Sequence, residues 1–378
     1  MRKFLFIAAN EWEWGGSEAL WSRSAEMLAR RGSSVRASVR QFDKPTEELE
    51  RLSSAGGQIF YRRPSSFVTR LARKTLPLPE YSYNHLRSVG KGMDLVVISQ
   101  GSIEDGLPWI EAARAAGLKY TIIVQAASEF WWPSDQSIER LAPGFENAVR
   151  AYFVSEATLD LCRRQFGTPL RCGQVVRNPF NVRYDALPAW PTGFSEEVSL
   201  ACVGRLEVAT KGQDVLLETL SMPRWRERKL RVSFVGKGPH ERGLQRRAQQ
   251  LGLTNVHFTG HLTDIERVWA SHHALVLPSR QEGMPLVVVE AMLSGRPCIA
   301  TDVGGSRELI RDNVNGFLAK APTVELIDEA MNRAWENRAR LKEIGEIAAA
   351  DVRRFVSPDP VSEFVHELQA AAESNGSI

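Results

Sequence analysis

Residues 278–306 read Pro278-Ser-Arg-Gln-Glu282-Gly-Met-Pro285-Leu-Val-Val-Val-Glu290-Ala-Met-Leu-Ser-Gly295-Arg-Pro297-Cys-Ile-Ala-Thr-Asp-Val303-Gly-Gly-Ser306. The apolar run 274–278 that leads in has the character of a buried strand, and Glu282-Gly-Met forms a turn. Pro285 stands at the first position of a helix, where a fixed φ fits and no N–H is missed. The stretch is therefore a strand-to-helix crossing whose loop faces a ligand. Glu282 lies just outside that helix and Glu290 more than a turn inside it. The two carboxylates thus span an extended ligand whose anionic middle meets the helix N-terminus. Carboxylates grip hydroxyls and a helix end grips phosphate. A nucleotide sugar offers both, with a sugar at one end, a diphosphate in the middle and a ribose at the other.

The spacing Glu282-x7-Glu290, followed by Gly295-x-Pro297 and Val303-Gly-Gly, resembles the signature of glycosyltransferase family 4, the retaining enzymes of the GT-B fold. Further stretches share the resemblance: Val203-Gly-Arg-Leu206 with Lys211-Gly-Gln-Asp-Val215, Phe234-Val-Gly-Lys-Gly-Pro239, Phe258-Thr-Gly-His-Leu262 and Gly15-Gly-Ser-Glu18. It runs over essentially the whole chain and is densest from 200 to 320. It implies an α/β chain of the GT-B class, with two Rossmann-like domains whose parallel sheets face a central cleft. Donor contacts are then expected mainly from the second domain and acceptor contacts from the first. By the same resemblance Glu282, Arg205 and Lys211 are the catalytic set, with Glu282 on the donor sugar and Glu290 on the ribose. Gly15, Gly16, Gly236, Gly260, His261, Leu262, Gly283, Met284, Pro285 and Leu286 complete the expected donor contacts.

A chain of 378 residues suits two domains, since single cores rarely grow past roughly 250 residues. Its 43% hydrophobic and 25% charged composition is that of an ordinary globular protein, which excludes disorder and assigns no activity. Four cysteines, Cys162, Cys172, Cys202 and Cys298, show neither C-x-x-C spacing nor the density of a disulfide scaffold. They read as buried, reduced thiols of a cytoplasmic protein. The basic, apolar start Met1-Arg-Lys-Phe-Leu-Phe-Ile-Ala-Ala is too short for a leader and leads into Glu11-Trp-Glu-Trp-Gly-Gly, so it reads as a first strand. No run reaches membrane-spanning length, and membrane association is expected to be peripheral, at the inner face.

Strand-like runs at 4–9, 95–98, 120–124 and 151–154 alternate with helical stretches at 17–31, 109–116 and after 155. A second series holds strands at 199–203, 231–235, 256–258, 274–277 and 298–301. Such alternation predicts parallel sheets covered by helices. The expected division is an acceptor domain over 1–178, a linker over 179–195 carrying Pro179, Pro188 and Pro191, a nucleotide-sugar domain over 196–355, and a tail over 356–378. The tail reads as an amphipathic helix after Pro358 and Pro360, and the resemblance has it return to the first domain.

Arg205 ends a strand and Lys211 follows in the next loop, placing two cations at the carboxyl end of a sheet, where open α/β sheets bind ligands. Arginine offers a planar fork and lysine a mobile point charge, a pairing suited to a departing diphosphate. Gly236-Lys-Gly238 follows a strand but lacks the third glycine of a dinucleotide fingerprint. His261, His272 and His273 have no Asp or Cys cluster beside them, and no Asp-x-Asp occurs, so neither metal nor resident cofactor is expected. Gly15-Gly-Ser-Glu18 opens a helix whose first amides are expected to be free for donor phosphate or acceptor.

The first half departs from the family. Many relatives carry a histidine in the loop after the strand equivalent to 120–124. Here the loop reads Gln125-Ala-Ala-Ser128-Glu129-Phe-Trp131-Trp132-Pro133, leaving Ser128 or Glu129 as stand-ins, or no protein base at all. Trp12, Trp14, Trp131 and Trp132 sit on loops after strands, suited either to stacking on acceptor sugar rings or to core and hinge packing. Residues 61–91 hold Arg62, Arg63, Arg70, Arg73, Lys74, Arg87 and Lys91 against one acid, Glu80. That stretch suits an anionic bilayer or a phosphorylated acceptor, or is simply a solvated basic face. Nucleic acid is disfavoured because no reading motif accompanies it.

The reading is thus a retaining, metal-independent sugar transfer to an unidentified hydroxylated acceptor. Two rivals stand beside it: another GT-B enzyme such as a nucleotide-sugar epimerase or phosphorylase, and a noncatalytic sugar-nucleotide-binding protein.

Overall fold

A computed structural model describes every residue except 11–13, 42–45, 63–79, 186, 192–196 and 375–378. The chain divides into two compact units, Met1–Pro179 with Asp359–Ile378, and Phe180–Pro358.

The first unit is built on a seven-stranded sheet: β1 Lys3–Ala8, β2 Ser34–Arg40, β3 Gln58–Arg62, β4 Leu95–Gln100, β5 Tyr120–Val124, β6 Arg150–Phe153 and β7 Gly173–Val175. All neighbours pair in parallel, in the order β3-β2-β1-β4-β5-β6-β7. Apolar runs such as Phe4-Leu-Phe-Ile7 and Leu95-Val-Val-Ile98 are almost wholly buried, as helices covering both faces of a parallel sheet require. The second unit holds β8 Val198–Val203, β9 Leu230–Val235, β10 Val256–Gly260, β11 Ala274–Leu277, β12 Cys298–Thr301 and β13 Gly316–Ala319, all parallel, in the order β10-β9-β8-β11-β12-β13. In each sheet the strand order reverses once, between β1 and β4 and between β8 and β11. Those reversals are the switch points at which ligand crevices open beyond the carboxyl ends of the strands.

The strands expected from apolar runs are present within about two residues of their expected bounds. Among strands the sequence reading did not name, β2 (Ser34-Val-Arg-Ala-Ser-Val-Arg40) alternates apolar with polar residues, and its Arg36 side chain donates to the Val89 carbonyl at 2.7 Å. β7 and β13 are only three and four residues long.

The tail forms a helix, Pro360–Glu373, opened by Asp359, whose side chain accepts from Ser362 N–H at 3.0 Å. Phe364, Val365, Leu368, Ala371 and Ala372 recur at helical spacing and bury in the core of the first unit with Leu20, Trp21 and Leu28. Phe364 meets Tyr152 edge-on at 5.0 Å.

Residues 180–184 and 188–190, within the stretch expected as a linker, lie against the second unit. Arg183 pairs with Glu266, Tyr184 Oη donates to the Arg353 carbonyl at 2.7 Å, and Arg296 donates to the Pro188 and Ala189 carbonyls while stacking on Trp190. Arg296 is almost fully buried, and burial pulls its guanidinium down to about 10. All four cysteines are unbridged, with Cys172 partly exposed and the others buried; burial pushes the Cys162 thiol up to about 12. Among the described residues no helix is long and apolar enough to cross a membrane.

Candidate functional site

The β8–β11 switch point brings together residues 71 positions apart. Val203 ends β8, and Arg205 follows in the loop; the short helix Val208–Lys211 ends on Lys211, capped by Gly212 in the left-handed conformation at φ +62°. From the other side β11 delivers Ser279 and Glu282. Lys211 Nζ lies 2.7 Å from Glu282 Oε1, and Ser279 Oγ donates to the same oxygen at 2.7 Å. The Glu282 side chain is 9% exposed and that of Lys211 26%, so the pair is sheltered and its attraction little screened. Arg205 lends its carbonyl to Gln213 Nε2 at 2.7 Å, and its side chain is partly exposed.

Two devices hold this pair in place. Arg280 makes a two-pronged contact with Asp214 at 2.6 and 2.8 Å and donates to the Val208 carbonyl, tying the Glu282 loop to the Lys211 loop. Burial opposes ionisation of Asp214, but the Arg280 guanidinium outweighs it and holds the carboxyl below the usual range. The second device is Val303-Gly-Gly: Gly305 N–H donates to the Gly283 carbonyl at 2.7 Å. Gly304 adopts φ +53°, and a Cβ there would lie 2.1 Å from the Glu282 carbonyl oxygen. Glycine is required because one backbone rests on another.

Pro285 occupies the cap position, φ −71° and ψ 98°, and the helix itself spans Leu286–Leu293, one residue later than the sequence suggested. Gly283, Met284 and Pro285 are buried and Leu286 is partly exposed. Glu290, the fifth residue of this helix, is 5% exposed, and its Oε1 accepts from both the backbone N–H and the side-chain amide of Asn181 at 3.0 Å each. Gly236 is buried against the loop after β8, where a Cβ would lie 2.0 Å from the Gly204 carbonyl oxygen. Its lack of a side chain lets the two loops pack this closely. Gly260 accepts from Gly236 N–H at 2.8 Å, while His261 and Leu262 are exposed.

At the β1–β4 switch point of the first unit, Glu18 is 5% exposed and accepts from Asn10 Nδ2 at 3.1 Å, from Gly15 N–H at 3.4 Å and from Ser17 Oγ. Burial raises its carboxyl above the usual range. The Gly15 amide expected to be free is therefore engaged by the chain's own carboxyl, while Gly16 is exposed. Trp14 is packed on Trp21, with ring centroids 5.6 Å apart, and stays partly exposed. Trp12 lies outside the described residues.

Beyond β5, Ser128 is buried and its Oγ accepts from Phe130 N–H, whereas Glu129 is exposed, 3.9 Å from Arg164. Phe130, Trp131 and Trp132 are 78%, 53% and 56% exposed. Arg62 is 8% exposed, donates to the Ala8 and Ser38 carbonyls and stacks on Trp109, which removes it from the expected basic docking face. Burial stacks it there because its flat cation fits an aromatic face. Of the remaining basic residues, Arg63, Arg70, Arg73 and Lys74 lie outside the described residues, while Arg87 and Lys91 are exposed.

Sequence reasoning missed Ser279, Arg280 and Asn181. The first two flank Glu282 inside the most informative stretch of the chain. Asn181 carries no local signal, because its partner is 109 residues away. Among the described residues no group of three or more His, Cys, Asp or Glu is arranged to hold a metal ion.

Residues 197–337 match the family described as "Glycosyl transferases group 1". The chain is 30% identical over 154 residues to a putative glycosyltransferase, EpsD, of Bacillus subtilis, covering 40% of each chain. It is 31% identical over 162 residues to the GDP-mannose-dependent alpha-(1-6)-phosphatidylinositol monomannoside mannosyltransferase of Mycobacterium tuberculosis, covering 40% of this chain and 41% of that one. The chain thus spans about two fifths of the length of these curated relatives. In three dimensions it is similar to Anabaena HepE, whose crystal structure is in complex with UDP-glucose, at a TM-score of 0.75 and 18% identity over 98% of this chain and 100% of that one. Residues 197–337, inside the second unit, are thus similar to glycosyl transferases group 1, and the whole chain has the GT-B fold.

Proposed function

We propose that the chain is a retaining glycosyltransferase of family 4, moving a sugar from a nucleotide-diphosphate sugar to an acceptor hydroxyl. The observation that carries this reading is the sheltered Lys211–Glu282 pair, with Arg205 on the adjoining loop, at the β8–β11 switch point. Before the donor arrives, cation and carboxylate neutralise each other. A diphosphate offers Lys211 a stronger partner, and its transfer to phosphate releases Glu282 toward the sugar, where positive charge grows as the bond to phosphate loosens. Arg205 and Lys211 together stabilise the negative charge on the departing diphosphate. The sugar's bond to the leaving oxygen breaks, its bond to the acceptor oxygen forms on the same face, and the leaving phosphate takes the acceptor proton. Neither buried Ser128 nor solvent-facing Glu129 is then needed as a base. The donor class is drawn from the UDP-glucose of HepE and the GDP-mannose dependence of the mycobacterial relative.

The test is incubation with UDP- and GDP-linked hexoses and a panel of sugar, polyol and lipid-linked acceptors, followed by NMR of the product's anomeric carbon. Product with the donor's configuration supports the reading. Inversion, or donor conversion that proceeds equally without acceptor, contradicts it.

A further inference from the structure

We infer that Asn181 is a positioning residue for nucleotide binding, acting through Glu290. This rests on the reading of Glu290 as a donor contact. Asn181 is the second residue of the second unit, and it spends both its N–H and its side-chain amide on one carboxylate oxygen of Glu290, at 3.0 Å each. A carboxylate 5% exposed has given up most of its hydration, so two donors on one of its oxygens weigh heavily on where that oxygen sits. The helix carrying Glu290 fixes its backbone, and Asn181 fixes its side chain.

The contact is not needed merely to hold the entering segment. Arg183 is already paired with Glu266, by its N–H at 2.8 Å and its guanidinium, and Tyr184 and Arg353 exchange two hydrogen bonds at 2.7 and 3.0 Å. Those anchors end on the helices Ile265–Ser271 and Leu341–Phe355, whereas the Asn181 anchor ends on the ligand-facing helix Leu286–Leu293. Removing the Asn181 side chain should therefore leave the segment in place and let the Glu290 carboxylate wander.

The experiment is calorimetric titration with UDP, GDP and ADP of the unaltered protein, Asn181→Ala, Asn181→Asp, Glu290→Gln and the double variant Asn181→Ala/Glu290→Gln, with melting curves for each. Hydrogen bonds to a charged group are strong enough that Asn181→Ala should weaken the best-binding diphosphate about tenfold. The melting temperature should hold, and kcat at saturating donor should change less than KM. Asn181→Asp should be worse than alanine despite its better fit, because it sets a second carboxylate against Glu290. In the Glu290→Gln background, Asn181→Ala should add little, since both act through one carboxylate. Equal losses in both backgrounds, or unchanged affinity in Asn181→Ala, would overturn the role of Asn181 and leave the function untouched. If none of the three diphosphates binds the unaltered protein, the proposed function falls and this inference with it.

Discussion

The two switch points are built from different materials. At β8–β11 the loops are tied by charge, Lys211 to Glu282 and Arg280 to Asp214, and by backbone stacked on glycine at 304. At β1–β4 the described loops are tied by a buried carboxyl, amides and hydroxyls, with Trp14 packed on Trp21 and three exposed aromatics beyond β5. A charged diphosphate is the same whatever sugar it carries, so a site for it is held to a few charged and glycine positions. An acceptor varies, and a surface for it is free to vary with it. The proposed function thus accounts for a family match that lies wholly in the second unit.

The comparison predicts unequal consequences of mutation. Lys211→Ala should lower kcat/KM roughly a hundredfold, the scale of losing one preorganised group at a site of developing charge, with the fold intact by melting curve. Unchanged turnover would remove Lys211 from the mechanism. Arg280→Ala leaves the Lys211–Glu282 pair untouched but cuts the tie between its two loops, and about a tenfold fall in kcat/KM is expected, shared between kcat and KM. If only KM moves, the tie positions substrate rather than the pair.

In the first unit, Trp131→Ala and Trp132→Ala should change stability by no more than about 0.5 kcal/mol, because both rings are exposed. Any kinetic effect should appear in acceptor KM and spare donor affinity. A loss of nucleotide binding in either variant would contradict the division of labour between the units.

The smallest expected effect is on pH dependence, where the buried histidines His272 and His273 and the buried Glu18 should differ in sign. Burial, with Arg296 next, holds His273 below the usual imidazole range, and burial does the same for His272. Both are neutral when folded, so their contribution is present above about pH 6.5, where unfolded histidine is also neutral, and is lost as pH falls toward their depressed values. Glu18 is raised by burial, so its contribution is complete below the unfolded carboxylate range and is lost as pH rises through its raised value. Melting curves across pH should show a flatter acid limb for His272→Asn and a flatter limb toward neutral pH for Glu18→Gln. Profiles parallel to that of the unaltered protein would show that these groups do not titrate with unfolding.

How much was legible follows the same division. The apolar strands, the α/β alternation and the Glu282-to-Glu290 crossing declared themselves because burial on both faces of a parallel sheet demands unbroken apolar runs. β2 did not, since alternating Ser, Val and Arg reads as surface until Arg36 is seen reaching Val89. The sequence could name Lys211 and Glu282 but not that they touch. It could name Gly15 but not that Glu18 folds back to take its amide. Arg62 looked like surface charge because nothing local reveals the Trp109 face and the two carbonyls that bury it.

The central claim is that Lys211 exchanges Glu282 for the donor's diphosphate. Calorimetric titration of the best-binding bare nucleoside diphosphate into the unaltered protein and Glu282→Gln tests it most directly. Removing the carboxylate's charge frees Lys211 from its competitor, so affinity should be kept or raised while turnover of the sugar nucleotide falls. Affinity lost in Glu282→Gln in step with turnover would contradict the account, since Glu282 would then be holding the nucleotide rather than yielding Lys211 to it.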